Sequence, residues 1–137
     1  LSQDQSFYLD PVVIEEIFDF YRAADDSGKA LRLLDFALRQ HPYNSDLHLK
    51  RSQLFFGEEQ FELALADARR ALELSPLDIA CHVQKARCVA EMGQLELALE
   101  TLASATSLAP EPSELLYQMG QLYQGAERWE EAIAHYG

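Results

Sequence analysis

Three prolines at a fixed interval are the feature that most restricts how this chain can fold. Pro42, Pro76 and Pro110 lie 34 residues apart, and each follows a helical pattern that a residue without an amide donor would end. Two series of alanines keep the same interval: Ala30, Ala64, Ala98 and Ala132 form one, and Ala37, Ala71 and Ala105 form the other. Three columns in phase predict a single structural unit repeated along the chain.

The apolar residues within each period have the spacing of amphipathic helices. Leu31, Leu34 and Leu38, for example, follow the i, i+3, i+7 pattern. The pattern predicts first helices at about 11–24, 45–57, 79–92 and 113–125, and second helices at about 28–40, 61–74, 95–108 and 129–136. Helix N-caps are predicted at Asp10, Ser45, Asp78 and Ser113, and tight turns inside the hairpins at Gly57, Gly93 and Gly125.

These columns resemble the tetratricopeptide repeat, whose pattern is W-x2-L-G-x2-Y followed by A-x3-F, A and P. The second-helix half is well kept, whereas the first-helix half has Arg51 and Lys85 where the family prefers leucine. We expect these two stems to pack while their charges turn outward. The resemblance covers residues 11–137. The matching residues are Ile14, Ile17, Phe18, Tyr21, Ala30, Leu34, Ala37 and Pro42, then His48, Arg51, Ser52, Phe55, Ala64, Ala68, Ala71 and Pro76, then His82, Lys85, Ala86, Val89, Ala98, Leu102, Ala105 and Pro110, and finally Leu116, Met119, Gly120, Tyr123, Ala132 and Tyr136.

The resemblance implies an all-α fold, an α-solenoid in which antiparallel helix hairpins stack into a right-handed superhelix. A single hairpin cannot bury its apolar face, so neighbouring units must pack on one another. We therefore expect one tetratricopeptide-like domain over residues 1–137. Its repeats are predicted at about 11–44, 45–78, 79–112 and 113–137, with the last one incomplete.

In this family the first helix of each hairpin generally lines a concave groove, which implies a non-catalytic scaffold that binds a protein or peptide segment there. A chaperone-tail receptor is excluded, because Glu15 and Asp19 stand where that binding mode needs Lys and Asn. The same two acids favour a partner with a basic portion, and apolar anchors would fit Leu49, Phe56 and Val83. The predicted partner-binding residues are Glu15, Asp19, Leu49, Gln53, Phe56, Val83, Arg87, Tyr117 and Gln121.

The charge balance argues against two classes of partner. The chain has 23 acidic and 11 basic residues, a formal charge of −12, and binding to nucleic acid or to a membrane surface draws on clustered Lys and Arg. No stretch approaches the ~20 apolar residues that cross a bilayer. Cys81 and Cys88 are too far apart along one predicted helix for an unstrained disulfide. A reducing, cytoplasmic location is the expectation.

Residues that could carry chemistry are weighed against simpler roles. His48 and His82 are equivalent in adjacent repeats and lie near Cys81 and Cys88 in sequence, but their spacing fits no closed metal site. We expect these histidines to fill the repeat's aromatic position, with no metal or other cofactor. Adjacent acidic residues such as Glu15 and Glu16 diverge by about 100° on a helix and share no proton. Without a phosphate loop or nucleophile motif, we predict that the chain is not an enzyme.

Two alternatives from other classes stay open. The last predicted helix contains Tyr136 and stops before its third turn, which indicates a piece of a longer protein with an open C-terminal end. Such an end favours self-association, so the chain could be a self-assembly module. It could equally be the regulatory or substrate-presenting arm of an enzyme whose catalytic domain is elsewhere.

Overall fold

The computed structural model describes residues 8–125, which form seven α-helices. Within this range there is no β-strand, and none of these helices combines the length and apolar character needed to cross a membrane. A 3-10 turn at Thr106–Leu108 extends the sixth helix. The predicted helix at 129–136 lies outside the described residues; the other seven predictions are confirmed. The helices are α1 (Pro11–Ala23), α2 (Ser27–Gln40), α3 (Ser45–Gly57), α4 (Phe61–Leu74), α5 (Ile79–Glu91), α6 (Leu95–Ala105) and α7 (Ser113–Gly125).

Side-chain caps explain where several helices begin. As predicted, Asp10 and Asp78 each accept a backbone N–H bond at the start of α1 and α5, at 2.8 and 3.0 Å. The prediction for α3 is wrong by one residue. Asn44, not Ser45, is the cap, and its Oδ1 accepts from the amide of Leu47 at 3.2 Å.

The turns inside the hairpins use a left-handed residue at a constant place in the repeat. Asp25, Glu59 and Gly93 have φ values of 56°, 60° and 86° and are 34 residues apart. Gly57 is instead the last residue of α3, so its predicted role in the turn is wrong. Because only Gly93 lacks a side chain among these three, two repeats make the turn with a residue that is strained there.

Gly93 gives a direct test of this turn. Gly93→Ala should lower the free energy of unfolding by about 1 kcal/mol, because a Cβ disfavours positive φ even though nothing lies within 4 Å of it. Gly28→Ala is the matched control, since Gly28 lies in the first turn of α2 with room for a methyl group. That change should be neutral or stabilising by up to about 1 kcal/mol. Urea unfolding measures both, and the same sign for the two variants would contradict the turn assignment.

The alanine columns lie where helices cross. Ala30, Ala64 and Ala98 are fully buried, as are Ala37, Ala71 and Ala105. Their short side chains let the helix backbones approach closely, and larger residues fill the grooves beside them. At one such crossing the hydroxyl of Ser52 donates to the carbonyl oxygen of Ala64 at 2.6 Å. The two alanine series therefore mark the places where neighbouring helices pack closely, as the repeat pattern predicted.

Consecutive hairpins stack to make an α-solenoid. The two helices of each of the first three hairpins pack on each other, and each first helix after α1 also packs on the second helix of the preceding repeat. The first helices α3 and α5 touch as well. This order places the first helices α3 and α5 side by side.

The outward charge predicted for Arg51 is wrong. Its Nε and Nη2 donate to the two carboxylate oxygens of the buried Asp67 at 2.8 and 2.9 Å, and its Nη1 donates to Asp35 of the preceding repeat at 2.8 Å. The hydrogen bond to Asp67 is the main cause of the raised pKa of Arg51. His48 Nδ1 lies 3.3 Å from the same carboxylate. The charge turns inward because a buried carboxylate needs a cation.

Candidate binding groove

Four exposed polar side chains form a row across the first helices. Counting positions from the first residue of each first helix, the row is position nine of α1, α3, α5 and α7. We call Asp19, Gln53, Arg87 and Gln121 the polar row. All four were predicted site residues, and all four are solvent-exposed. Each repeat therefore offers one polar group at the same place.

Three first helices share a hollow beside this row. The hollow has a volume of about 540 Å³ and joins Arg22 at the end of α1 to Gln53 and Phe56 on α3 and Arg87 on α5. Asp25 and Glu58 also line it, together with Ser27, Leu54 and Gly57. We call it the central hollow. It brings together three predicted site residues, Gln53, Phe56 and Arg87.

Two arginines in the central hollow are held by aromatic rings. The guanidinium of Arg87 lies 4.5 Å from the ring centroid of Phe56, and that of Arg22 lies 5.7 Å from the ring of Phe18. Arg87 also donates to Gln84 at 3.5 Å. Within the described residues, neither arginine has a carboxylate at salt-bridge distance. Both cations are therefore available to an acidic group.

The acidic part of the predicted site lies at the other end of α1. Glu15 lines a separate hollow of about 130 Å³ with Asp46 and Lys50, which pair with each other at 2.6 Å. Arg22 is seven positions after Glu15, so these side chains start about 10 Å apart along the helix. Asp19 lies between them and is exposed. Charges of both signs therefore line the two hollows: Glu15 lies near the start of α1, and Arg22 and Arg87 lie in the central hollow with Asp25 and Glu58.

Leu49 is not a groove residue, which corrects the prediction. It is 8% exposed and forms a buried cluster with Ala71 of the same repeat and Cys81 of the next. Position five of α3 therefore faces the seam between repeats. Val83, at the same position of α5, is half-buried beside the core cluster that contains Leu115, whereas Tyr117 of α7 is 49% exposed. Position five is thus buried at Leu49, half-buried at Val83 and exposed at Glu15 and Tyr117.

The two equivalent histidines have a structural role. His48 Nε2 lies 3.0 Å from the carbonyl oxygen of Pro42, and His82 Nε2 lies 2.9 Å from that of Pro76. In each case the ring N–H donates to the proline six residues earlier and fastens the turn that precedes a first helix. Among residues 8–125, no group of three or more His, Cys, Asp and Glu side chains has a metal-binding arrangement.

Both cysteines are buried free thiols. Burial raises the pKa of Cys81 to about 12, and the nearby Asp78 carboxylate adds to the shift. Burial likewise raises the pKa of Cys88. Because the thiolate is the nucleophilic form, neither side chain is suited to covalent chemistry near neutral pH.

A buried polar contact between first helices was missed by sequence reasoning. Gln84 is 2% exposed, and its Nε2 donates to the hydroxyl of Ser52 at 3.0 Å. This bond joins α3 to α5. The signal in the sequence was weak, because a glutamine at position six of a first helix is expected to face solvent.

Comparisons with known proteins agree with this architecture. A family model described as "Tetratricopeptide repeat" matches residues 55–116. The protein unc-45 homolog B of Xenopus laevis is 25% identical over 121 residues, which is 84% of this chain, and the chain spans only 13% of that relative's length.

Solved structures show the same stacking of helix hairpins. YrrB, described as a TPR protein with an unusual peptide-binding site, is 28% identical with a TM-score of 0.74, over 90% of this chain and 63% of YrrB. MamA from Desulfovibrio magneticus RS-1 is 19% identical with a TM-score of 0.79, over 93% of this chain and 72% of MamA. The MamA likeness concerns the fold alone. Residues 55–116 therefore match the tetratricopeptide repeat, and the 34-residue columns give the helix hairpins before them the same pattern.

Proposed function

We propose that this chain is a non-catalytic scaffold that binds an extended segment of a partner protein across its first helices. The observation that carries the proposal is the polar row, one exposed side chain per repeat. The amides of Gln53 and Gln121 can each donate to and accept from the backbone of an extended segment. The likeness to YrrB, a protein with a peptide-binding site, supports the same role.

The charges along the row define the segment more closely. Neighbouring first helices lie on the order of 10 Å apart, and an extended chain advances about 3.3 Å per residue, so each repeat spans about three residues. A basic residue facing Asp19 on α1 would thus be about six residues from an acidic residue facing Arg87 on α5. The half-buried Phe56 and Val83 add apolar contact, whereas Leu49 adds none.

Synthetic peptides test this proposal. A neutral extended peptide with Lys and Glu about six residues apart should bind more tightly than versions with two Lys or two Glu, as measured by isothermal titration calorimetry. Arg87→Glu should weaken binding of the Lys/Glu peptide by at least about tenfold, because it replaces an attraction by a repulsion. The same variant should bind the two-Lys peptide better than the parent chain does.

Arg69→Glu is the matched control. Arg69 is exposed on the second helix α4, away from the central hollow, and the substitution changes the net charge by the same amount. Circular dichroism checks that both variants are folded. If Arg69→Glu and Arg87→Glu weaken binding equally, only the overall charge matters and the groove assignment is wrong.

A further inference from the structure

The amide of Gln84 has a fixed orientation between two first helices. Gln84 is 2% exposed, and its Nε2 donates to the hydroxyl oxygen of Ser52 on α3 at 3.0 Å. The hydroxyl hydrogen of Ser52 is already used, because it donates to the carbonyl oxygen of Ala64 at 2.6 Å. The Ser52 oxygen can therefore only accept from Gln84. This requirement directs the Nε2 of Gln84 toward α3 and leaves its Oε1 to face another donor.

Arg87, one turn later on α5, is the donor that faces this oxygen. Its Nη1 donates to Gln84 Oε1 at 3.5 Å, which is at the long end of the range for such a bond. The reverse orientation of the amide would point N–H groups at the cation and is therefore unfavourable. Ser52 and Arg87 thus require the same orientation of Gln84. Through this amide, a side chain of the second repeat acts on a cation of the third.

The second repeat holds Arg87 from two sides. The guanidinium carbon of Arg87 lies 4.5 Å from the ring centroid of Phe56. Ser52 of the same helix acts on this guanidinium through Gln84. An aromatic ring and an amide are neutral groups, so they restrict the side chain without cancelling its charge. Arg51 shows the other arrangement, because two carboxylates hold it and leave its charge less available to an acidic partner.

We propose that Gln84 positions Arg87 for an acidic side chain of the partner, and that Ser52 fixes Gln84 in turn. The inference rests on the proposed function, because it concerns how the groove presents its cation. An arginine held in place before binding loses less conformational freedom when it pairs with a carboxylate. Since the amide of Gln84 is neutral, the site should select a carboxylate over an amide at this place in the partner segment.

Gln84→Met tests this role, because methionine is a similarly long, unbranched side chain without an amide. By isothermal titration calorimetry, the Lys/Glu peptide should bind the variant about three- to tenfold more weakly than it binds the parent chain. A peptide with Gln in place of that Glu should bind the variant and the parent equally. Equal losses for the two peptides would overturn the proposal, because a purely structural defect weakens both alike. No loss for either peptide would overturn it too.

Two further variants examine the route through Ser52. Ser52→Ala should weaken binding of the Lys/Glu peptide selectively, although Ser52 is fully buried and cannot touch the partner, because the change releases the amide of Gln84. Gln118→Met is the matched control. Gln118 has the same position in α7, but its amide donates to Glu114 of its own helix at 3.2 Å. A selective loss in Gln118→Met equal to that in Gln84→Met would contradict the assignment.

A measurement without peptide separates failure of this proposal from failure of the proposed function. In nitrogen-15 NMR of the arginine side chains, rotation of the Arg87 guanidinium about its Nε–Cζ bond should be faster in Gln84→Met than in the parent chain. Arg22 is the internal control, since it rests on the ring of Phe18 at 5.7 Å and should not change. Unchanged rotation of Arg87 would overturn the proposal. Faster rotation of Arg87 in a chain that binds none of the peptides would support the positioning role and contradict only the proposed function.

Discussion

Replacing Arg51 by leucine, the residue that the repeat family prefers at this position, should lower the free energy of unfolding by about 3–5 kcal/mol. The loss is expected because the substitution removes two hydrogen bonds to the carboxylate of Asp67, which is 5% exposed. The remaining polar neighbour of that carboxylate, His48 Nδ1, lies 3.3 Å away. Urea unfolding at neutral pH measures the change.

The double variant Arg51→Leu/Asp67→Leu should recover most of the lost stability or exceed that of the parent, by up to about 4 kcal/mol, because two apolar side chains then replace the buried ions. The first repeat already has this arrangement, with Ile17 and Leu33 at the equivalent positions. Asp35 loses a partner in both variants, but its carboxylate is more than half exposed and loses little. If Arg51→Leu alone is neutral, the ion pair does not stabilise the fold.

Replacing Phe18 by alanine should cost about 3–5 kcal/mol of stability, because it opens a cavity in the core of the first hairpin. Phe18 is 2% exposed and packs in one cluster with Ile14 and Leu34. Arg22 and Lys50 each lie 5.7 Å from its ring centroid, so the variant also loses two contacts between a cation and an aromatic ring. Thermal and urea unfolding at low protein concentration give the change.

Phe20→Ala provides the control on the same helix. Phe20 is exposed, so its replacement should change the stability of the monomer by no more than about 0.5 kcal/mol. The two substitutions remove the same atoms two residues apart, and burial alone separates them. Comparable losses would mean that α1 is rotated relative to the core described above.

The helices and the alanine columns could be predicted from the sequence because both follow from the 34-residue period. The inward charge of Arg51 could not, because its partner is 16 residues away on another helix. A signal was nevertheless present: Asp67 lies on the apolar side of α4 together with Ala64, Ala68 and Ala71. A carboxylate on such a face requires a cation opposite, and Arg51 occupies the facing helix.

The candidate site was predicted in part for a similar reason. The polar row repeats at the same interval as the prolines, so sequence spacing alone indicates it. Leu49 was misplaced because its burial depends on Cys81 of the next repeat. Arg22 and Arg87 line the same hollow because the first helices that carry them lie close together. The 34-residue period carries no information on that distance.

The polar bonds at the seams bear on how the array opens. Arg51 links the second repeat to Asp35 of the first, and Gln84 links the third repeat to Ser52 of the second. In a solenoid, neighbour-to-neighbour coupling determines whether repeats melt singly or together. The bond between the buried Gln84 and Ser52 is lost once its seam shifts, so opening one of these hairpins alone leaves a buried polar group without a partner. Repeats one to three should therefore exchange their amide hydrogens as one cooperative block, and slow local opening is what a surface shared by three repeats requires.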